Sequence, residues 1–232
     1  MFKIVRKCDI IGIYLTKRWF MIEIWFPTII YYDFLRDIDN ASLVKRAYQI
    51  RDELEASTYN QWDCDTWNSL NTQLYYKDDE MDSVIRKLID ATVLHTEKYA
   101  AEYRADLENY RIECTGFWFN IAEPENFQEY HQHPNNLFSA VYYVDVQPNS
   151  GEIIFKSMDS VASSITVPIA LNYAEVNSEH LISDSLISES CSYTPENGKI
   201  LIFKSNLLHM VKKNLSNSDR ISIGMNFNLV PK

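Results

Sequence analysis

Two of the five histidines in this chain, His131 and His133, stand either side of Gln132. On an extended segment residues i and i+2 point the same way, so this pair can grip one metal ion through its two imidazoles. A third ligand must come from elsewhere. His209 is the candidate, because it follows an apolar run at 199–204 and precedes a strictly alternating run at 220–229. A sheet folded back on itself would bring it beside the pair. An isolated His-x-His also occurs as a pair of surface histidines, and spacing alone leaves both readings open. His95 falls on the apolar stripe of a helical segment, where a hydrogen-bonded core histidine is expected, and His180 is assigned to solvent.

The alternating run bears on chemistry as well. Arg220, Ser222, Gly224, Asn226 and Asn228 share one face of the strand, and Ile221, Ile223, Met225 and Phe227 share the other. The polar face is either the wet side of an edge strand or the lining of a barrel interior that binds something anionic. In the second case Arg220 needs a negative partner, because a buried guanidinium without one is costly. In the first it is a surface arginine paired with Asp219 or another acid.

These residues are positioned by two kinds of segment. At 42–56 the apolar positions Leu43, Ala47, Ile50 and Leu54 recur at helical spacing, with Asn40 as a candidate cap. A longer helix is expected over 82–110, with Val84, Leu88, Ala91, His95, Tyr99, Tyr103 and Leu107 as its buried stripe. After Tyr110 the period changes to two, and strands are expected at 116–121, 138–144, 152–156, 199–204 and 220–229. Turn chemistry lies between them at 148–151 and 195–198, each ending in glycine. The Ser-rich stretch 157–192 is expected to form weak strands and a loop arching over a pocket. Helices followed by strands predict an α+β domain.

The segments "GFWFNIAEPENFQEYHQHPNNLFSAVYYVDVQPNSGEIIF", "YTPENGKILIFKSNLLHMVKKN" and "DRISIGMNFNLV" resemble, in order and spacing, the 2-oxoglutarate- and iron(II)-dependent oxygenases. The likeness is to their prolyl-hydroxylase-like group from phages and bacteria. It runs over roughly 116–229, and "IEIWFPTIIYYDF" after Met21 looks like that group's opening. The resemblance implies a double-stranded β-helix, a jelly-roll or cupin-like core, with N-terminal helices packed on its outside. It assigns His131, His133 and His209 to iron(II), and Arg220 with Ser222 to the distal carboxylate of 2-oxoglutarate. Tyr143 adds a hydrogen bond to that carboxylate. Asn120, which shares a strand face with Trp118, is either a further contact to cosubstrate or oxygen or a structural amide; Tyr142 and Phe138 are core. The implied reaction consumes O2 and 2-oxoglutarate, releases succinate and CO2, and hydroxylates a C–H bond of a peptidyl, amino-acid or small-metabolite substrate. The chain departs from the superfamily's usual His-x-acid motif at His133, where a neutral imidazole replaces a carboxylate. Asp145 and Glu129 are the alternative carboxylates.

Two other readings share the same residues. A cupin-like metalloenzyme would bind metal without 2-oxoglutarate, and a noncatalytic jelly-roll module would hold the three histidines incidentally. Composition narrows the partners. A net charge of −10 repels phosphate, so sequence-independent nucleic-acid binding is not expected. No run approaches membrane-spanning length. The four cysteines, Cys8, Cys64, Cys114 and Cys191, are far apart with no Cys-x-x-Cys pair, which fits a reducing cytoplasm, that of the host if a phage encodes the chain. The first 20 residues hold Lys3, Arg6, Lys7, Lys17 and Arg18 against one acid, leaving 17 basic against 31 acidic residues in the rest. They are expected to be a leader or disordered extension before a single domain over 21–232, helical over about 33–112 and β-helical over about 113–232. No heptad run predicts an oligomeric state.

Overall fold

Alternating strands in the second half of the chain, joined by glycine turns, build two antiparallel sheets that face one another. A computed structural model of the chain describes residues 27–53, 66–70, 83–157 and 190–232. The leader expected at 1–20, His180 and most of the proposed loop over 157–192 lie outside the described residues. The elements run β1 (Tyr31–Phe34), α1 (Asn40–Glu53), β2 (Trp67–Asn68), α2 (Ser83–Glu102), β3 (Tyr110–Ala122), β4 (Gln128–His131), β5 (Phe138–Asp145), β6 (Ile153–Lys156), β7 (Ser190–Tyr193), β8 (Lys199–Lys204), β9 (His209–Val211) and β10 (Arg220–Pro231). The larger sheet has the order β1-β8-β5-β10-β3-β2 and the smaller β4-β9-β6-β7. This is the double-stranded β-helix of an α+β protein.

The two faces of β10 separate as its alternation predicts. Ile221, Ile223, Met225 and Phe227 join the main core beneath the helices, while Arg220, Ser222, Gly224 and Asn226 face the space between the sheets. Tyr142 and Phe138 are core, as expected. A second apolar cluster, including Ile153, Phe155, Leu201, Phe203 and Leu207, fills the closed end between the sheets. The turns before β6 and β8 hold Gly151 at φ 96° and Gly198 at φ 83°, in the left-handed region that glycine enters without a steric cost.

The helices depart from expectation in three details. Asn40 is not the cap of α1: Asp39 accepts from the Ser42 amide at 3.1 Å and the Ser42 hydroxyl at 2.7 Å. Asn40 instead ties the helix to β5, donating to Val144 O at 2.8 Å and accepting from the Tyr142 hydroxyl at 2.7 Å. Helix α2 ends at Glu102 rather than near Tyr110, because Arg104 takes a φ of 57° and Asp106 captures the Glu108 and Asn109 amides, turning the chain into β3. Its buried face is Ile85, Leu88, Ile89, Thr92, Thr96, Tyr99 and Ala100, rotated from the predicted stripe. Thr92 and Thr96 are tolerated there because each hydroxyl donates to the carbonyl four residues earlier, at 2.8 Å. His95 lies at the edge of this face, its Nδ1 2.8 Å from the Tyr31 hydroxyl, in the structural role expected of it.

Candidate functional site

His131 ends β4, opposite His209 at the start of β9, so the antiparallel register sets two imidazoles side by side with ring centroids 4.2 Å apart. His133 lies two residues beyond, its ring 5.3 Å from His131 and 5.1 Å from His209. One ligand nitrogen from each can be chosen so that all three lie within 4.8 Å of one another. No carboxylate belongs to this group among the described residues. Glu129 contributes its backbone carbonyl to His131, and Asp145 stands on the helix side of the large sheet near Tyr48. Neither substitutes for His133 as an acid ligand.

Each imidazole has a defined tautomer. A carbonyl oxygen can only accept, so Nδ1 of His131 donates to Glu129 O at 2.7 Å and Nδ1 of His209 donates to Leu207 O at 2.8 Å. That tautomer puts the lone pair of each ring on Nε2. His133 Nδ1 lies 2.8 Å from Asn226 Oδ1 and 2.9 Å from Ser139 Oγ. Burial disfavours the charged form of all three rings: His131 is held below the usual histidine range, His133 is pushed down to about 4, and His209, packed against Phe155 and Phe203, lies well below its ordinary value. Three neutral, convergent, preoriented imidazoles fit a divalent transition metal.

Arg220 opens β10 and is 3% exposed. It is not a surface residue paired with Asp219, which accepts from the Tyr48 hydroxyl at 2.9 Å and lies 3.7 Å from Arg51. Its Nη1 donates to Ser150 O at 2.9 Å and, at 3.4 Å, to Gly151 O, while its buried Nε has no hydrogen-bond partner among the described residues. Burial lowers its pKa from the usual arginine value. Gly151 is required for this placement, since a Cβ there would lie 2.2 Å from Lys212 O and 2.9 Å from Arg220 Nη1.

Strand register gathers the remaining candidates into one row, because Ser222 of β10 pairs with Asn120 of β3 on one side and with Tyr143 of β5 on the other. All three line a cavity of about 240 Å³ together with Arg220 and the three histidines. Burial raises the Tyr143 pKa, so its hydroxyl stays protonated and can donate. In the next row Trp118 lies over Gly224, where an added Cβ would sit 2.4 Å from the indole, and meets the His133 ring edge-on at 5.3 Å. Sequence reasoning missed the amide side chains of Asn68, Gln128, Gln132 and Asn136 at the cavity, and Ser139 and Ser205 behind His133. Asn226 was placed on the polar face but given no task. The side chains at the cavity come from separate segments, and no local pattern marks them.

The chain thus folds as a jelly roll with a three-histidine cluster and a buried arginine between its sheets. Residues 116–226 match the family described as "Putative 2OG-Fe(II) oxygenase", so that part of the chain is similar to the 2-oxoglutarate- and iron(II)-dependent oxygenases. Among solved structures, a prolyl-4-hydroxylase from Pseudomonas putida is similar at 16% identity and TM-score 0.56, over 87% of this chain and 92% of that one. A viral collagen prolyl hydroxylase from Paramecium Bursaria Chlorella virus-1, solved as its 2-oxoglutarate complex, has 12% identity and TM-score 0.50, over 85% and 94%. The non-heme α-ketoglutarate-dependent epimerase SnoN of nogalamycin biosynthesis has 12% identity and TM-score 0.56, over 86% and 76%. At these identities the likeness is one of fold. A comparison with curated proteins finds no match.

Proposed function

We propose that the chain is an iron(II)- and 2-oxoglutarate-dependent dioxygenase that hydroxylates a C–H bond of a peptidyl, amino-acid or small-metabolite substrate. The observation behind this reading is the buried Arg220, whose Nε lacks a partner among the described residues, in the wall of the cavity that also receives the three histidines. His131, His133 and His209 would hold iron(II) through Nε2. Three neutral donors leave the metal's double charge intact and Arg220 adds another, so the site as built favours a dianion. Arg220 would bind the distal carboxylate of 2-oxoglutarate, with donors from Ser222 and Tyr143 beside it in the same row and Asn120 adjoining. When bound, iron(II) and 2-oxoglutarate supply the oxidising chemistry, in which O2 places one oxygen in succinate, with loss of CO2, and one in the substrate's new hydroxyl.

The chain's own residues orient and shield. Trp118, Phe203 and Phe155 keep the histidines in an apolar setting, and Tyr143 and Asn120 limit the cosubstrate to one orientation. Asn68, Gln128, Gln132 and Asn136 line the cavity with neutral amides, which suit the amide groups of a peptide. A prolyl peptide is the first substrate to test, by analogy with the hydroxylases of similar fold.

The test is anaerobic titration with iron(II) and then 2-oxoglutarate, following the weak visible charge-transfer band of bidentate chelation. Its appearance in the parent chain and loss in Arg220→Ala support the proposal. Iron binding without the band favours a cupin-like enzyme that does not use 2-oxoglutarate, and no iron binding favours a noncatalytic module. No helix among the described residues is long and apolar enough to cross a membrane.

A further inference from the structure

The three histidines are not held alike. His131 and His209 each donate Nδ1–H to the carbonyl two residues earlier, Glu129 O and Leu207 O, contacts made by backbone that no substitution of a neighbouring side chain removes. His133 lies beyond the end of β4, and side chains from two other strands hold it. Its Nδ1 is 2.8 Å from Asn226 Oδ1 of β10 and 2.9 Å from Ser139 Oγ of β5. These two partners face each other in the β10–β5 register, 2.8 Å apart, with the Ser139 hydroxyl donating to Asn226 Oδ1. Ser139 also lies 2.8 Å from Ser205 Oγ, and Ser205 O accepts from the His133 amide at 2.9 Å. Ser139 and Ser205 are almost wholly buried.

Asn226 Oδ1 is an acceptor that cannot donate, so the proton between it and His133 resides on the imidazole Nδ1. That leaves Nε2 with the lone pair. An amide nitrogen turned to the same place would donate to Nδ1, move the imidazole proton to Nε2 and abolish the ligand. Ser139, by donating to Oδ1, favours the orientation in which oxygen faces His133. We infer that Asn226 and Ser139 are positioning residues that make His133 the third metal ligand by fixing its tautomer and ring plane. This rests on the metal reading given above and extends it to the residues that decide whether the third histidine binds. Because the partner is a neutral amide rather than a carboxylate, the network orients His133 without adding negative charge to the centre.

The experiment is titration of the full-length chain with Co(II), whose visible spectrum reports ligand number, in the absence of 2-oxoglutarate. Asn226→Leu removes the acceptor at similar volume, and Asn226→Asp keeps it. The expected result is a loss of at least about tenfold in Co(II) affinity for Asn226→Leu, with a spectrum approaching that of His133→Ala, and affinity at or above the parent's for Asn226→Asp. In a His133→Ala background Asn226→Leu should cost no further affinity, which a general packing defect would not reproduce. Ser139→Ala, a smaller change, should weaken Co(II) severalfold and serves if Asn226→Leu does not fold. Parent-like Co(II) binding by Asn226→Leu, or by Ser139→Ala where Asn226→Leu does not fold, overturns the inference and leaves the metal site standing. A parent chain that binds no Co(II) overturns the metal reading, and this inference with it.

Discussion

Replacing Arg220 with leucine should move protein stability and cosubstrate affinity in opposite directions. The guanidinium is 3% exposed and, among the described residues, makes one short hydrogen bond at 2.9 Å and one long one at 3.4 Å and keeps a buried Nε without a partner. Burying such a cation costs several kcal/mol, whereas one good charged hydrogen bond returns about 1.5–3 kcal/mol. Leucine removes the charge along with the bond, so the ligand-free protein should be unchanged or more stable by roughly 1–3 kcal/mol. Binding is affected the other way. Loss of a buried guanidinium facing a carboxylate costs about 3–4 kcal/mol, which is roughly a 100- to 1000-fold weaker Kd. The assay is thermal unfolding with saturating Mn(II), with and without 2-oxoglutarate at about 100 times the parent Kd. At that concentration the ligand stabilises the parent by about 2.7 kcal/mol, and a chain of this size gains roughly 2–4 °C per kcal/mol, so a shift of about 5–11 °C is expected. In Arg220→Leu the same 2-oxoglutarate concentration is at or below the new Kd, and the shift should fall under about 2 °C. A variant that keeps most of the shift refutes the carboxylate role. A variant whose ligand-free Tm drops by several degrees refutes the claim that Arg220 is an uncompensated charge.

Gly151→Ala should lower both Tm and 2-oxoglutarate affinity, because a Cβ 2.2 Å from Lys212 O and 2.9 Å from Arg220 Nη1 forces the turn and the guanidinium apart. Gly198→Ala is the control: it carries a comparable left-handed strain of about 1–3 kcal/mol and a 3.3 Å approach to Leu35 O, and should lower Tm alone, measured by unfolding and by calorimetry. Acidification should destabilise the metal-free protein. The folded-state pKa of His133 is about 4, below the unfolded value near 6.5, so the unfolded chain takes up the extra proton; stability present above pH 6.5 is lost as pH falls toward 4. His131 and His209 shift in the same direction. Tm measured from pH 7.5 to 4.5 should therefore decline, less steeply in His133→Asn, and a flat parent profile contradicts the burial argument. His95→Phe should leave Co(II) affinity at the parent value while lowering Tm, because its Nδ1 meets the Tyr31 hydroxyl far from the cluster; metal loss in this variant would overturn the structural role assigned to it.

The parts of the architecture visible in the sequence are those set by local rules. Alternation along 220–228 separates an apolar face from a polar one whatever the partner strands are, but it left open whether the polar face was wet or lined a barrel, and only the resemblance pointed Arg220 and Ser222 inward. Gly151 and Gly198 marked their turns because few other residues tolerate those φ values. The helix errors have the same origin in reverse. A stripe through Tyr103 and Leu107 continues the helical period, yet Arg104 leaves the helix and Asp106 offers the amides a competing acceptor, a local contest that hydrophobic spacing does not register. Thr92 and Thr96 look polar to a pattern but are satisfied within their own helix, so the true buried face was displaced from the predicted one.

The candidate site divides along a different line. His131 and His133 were legible because two neighbouring residues of one segment share a side, and His209 because the motif order pointed to it. The row of Asn120, Ser222 and Tyr143 was nominated by resemblance, but its geometry follows from register, with β10 lying between β3 and β5. Ser139, Ser205 and Asn226 were not legible as a unit. They lie 66 and 87 residues apart along the chain, and each alone is an ordinary small polar residue. Their meaning arises when β5 and β10 pair so that Ser139 and Asn226 stand opposite each other beneath His133. A histidine cluster in a β-helix is therefore announced by its own residues, whereas the polar network around it is selected by strand pairing. For this fold, a scan that follows each predicted ligand to its cross-strand neighbours should recover the supporting polar network that linear motifs miss.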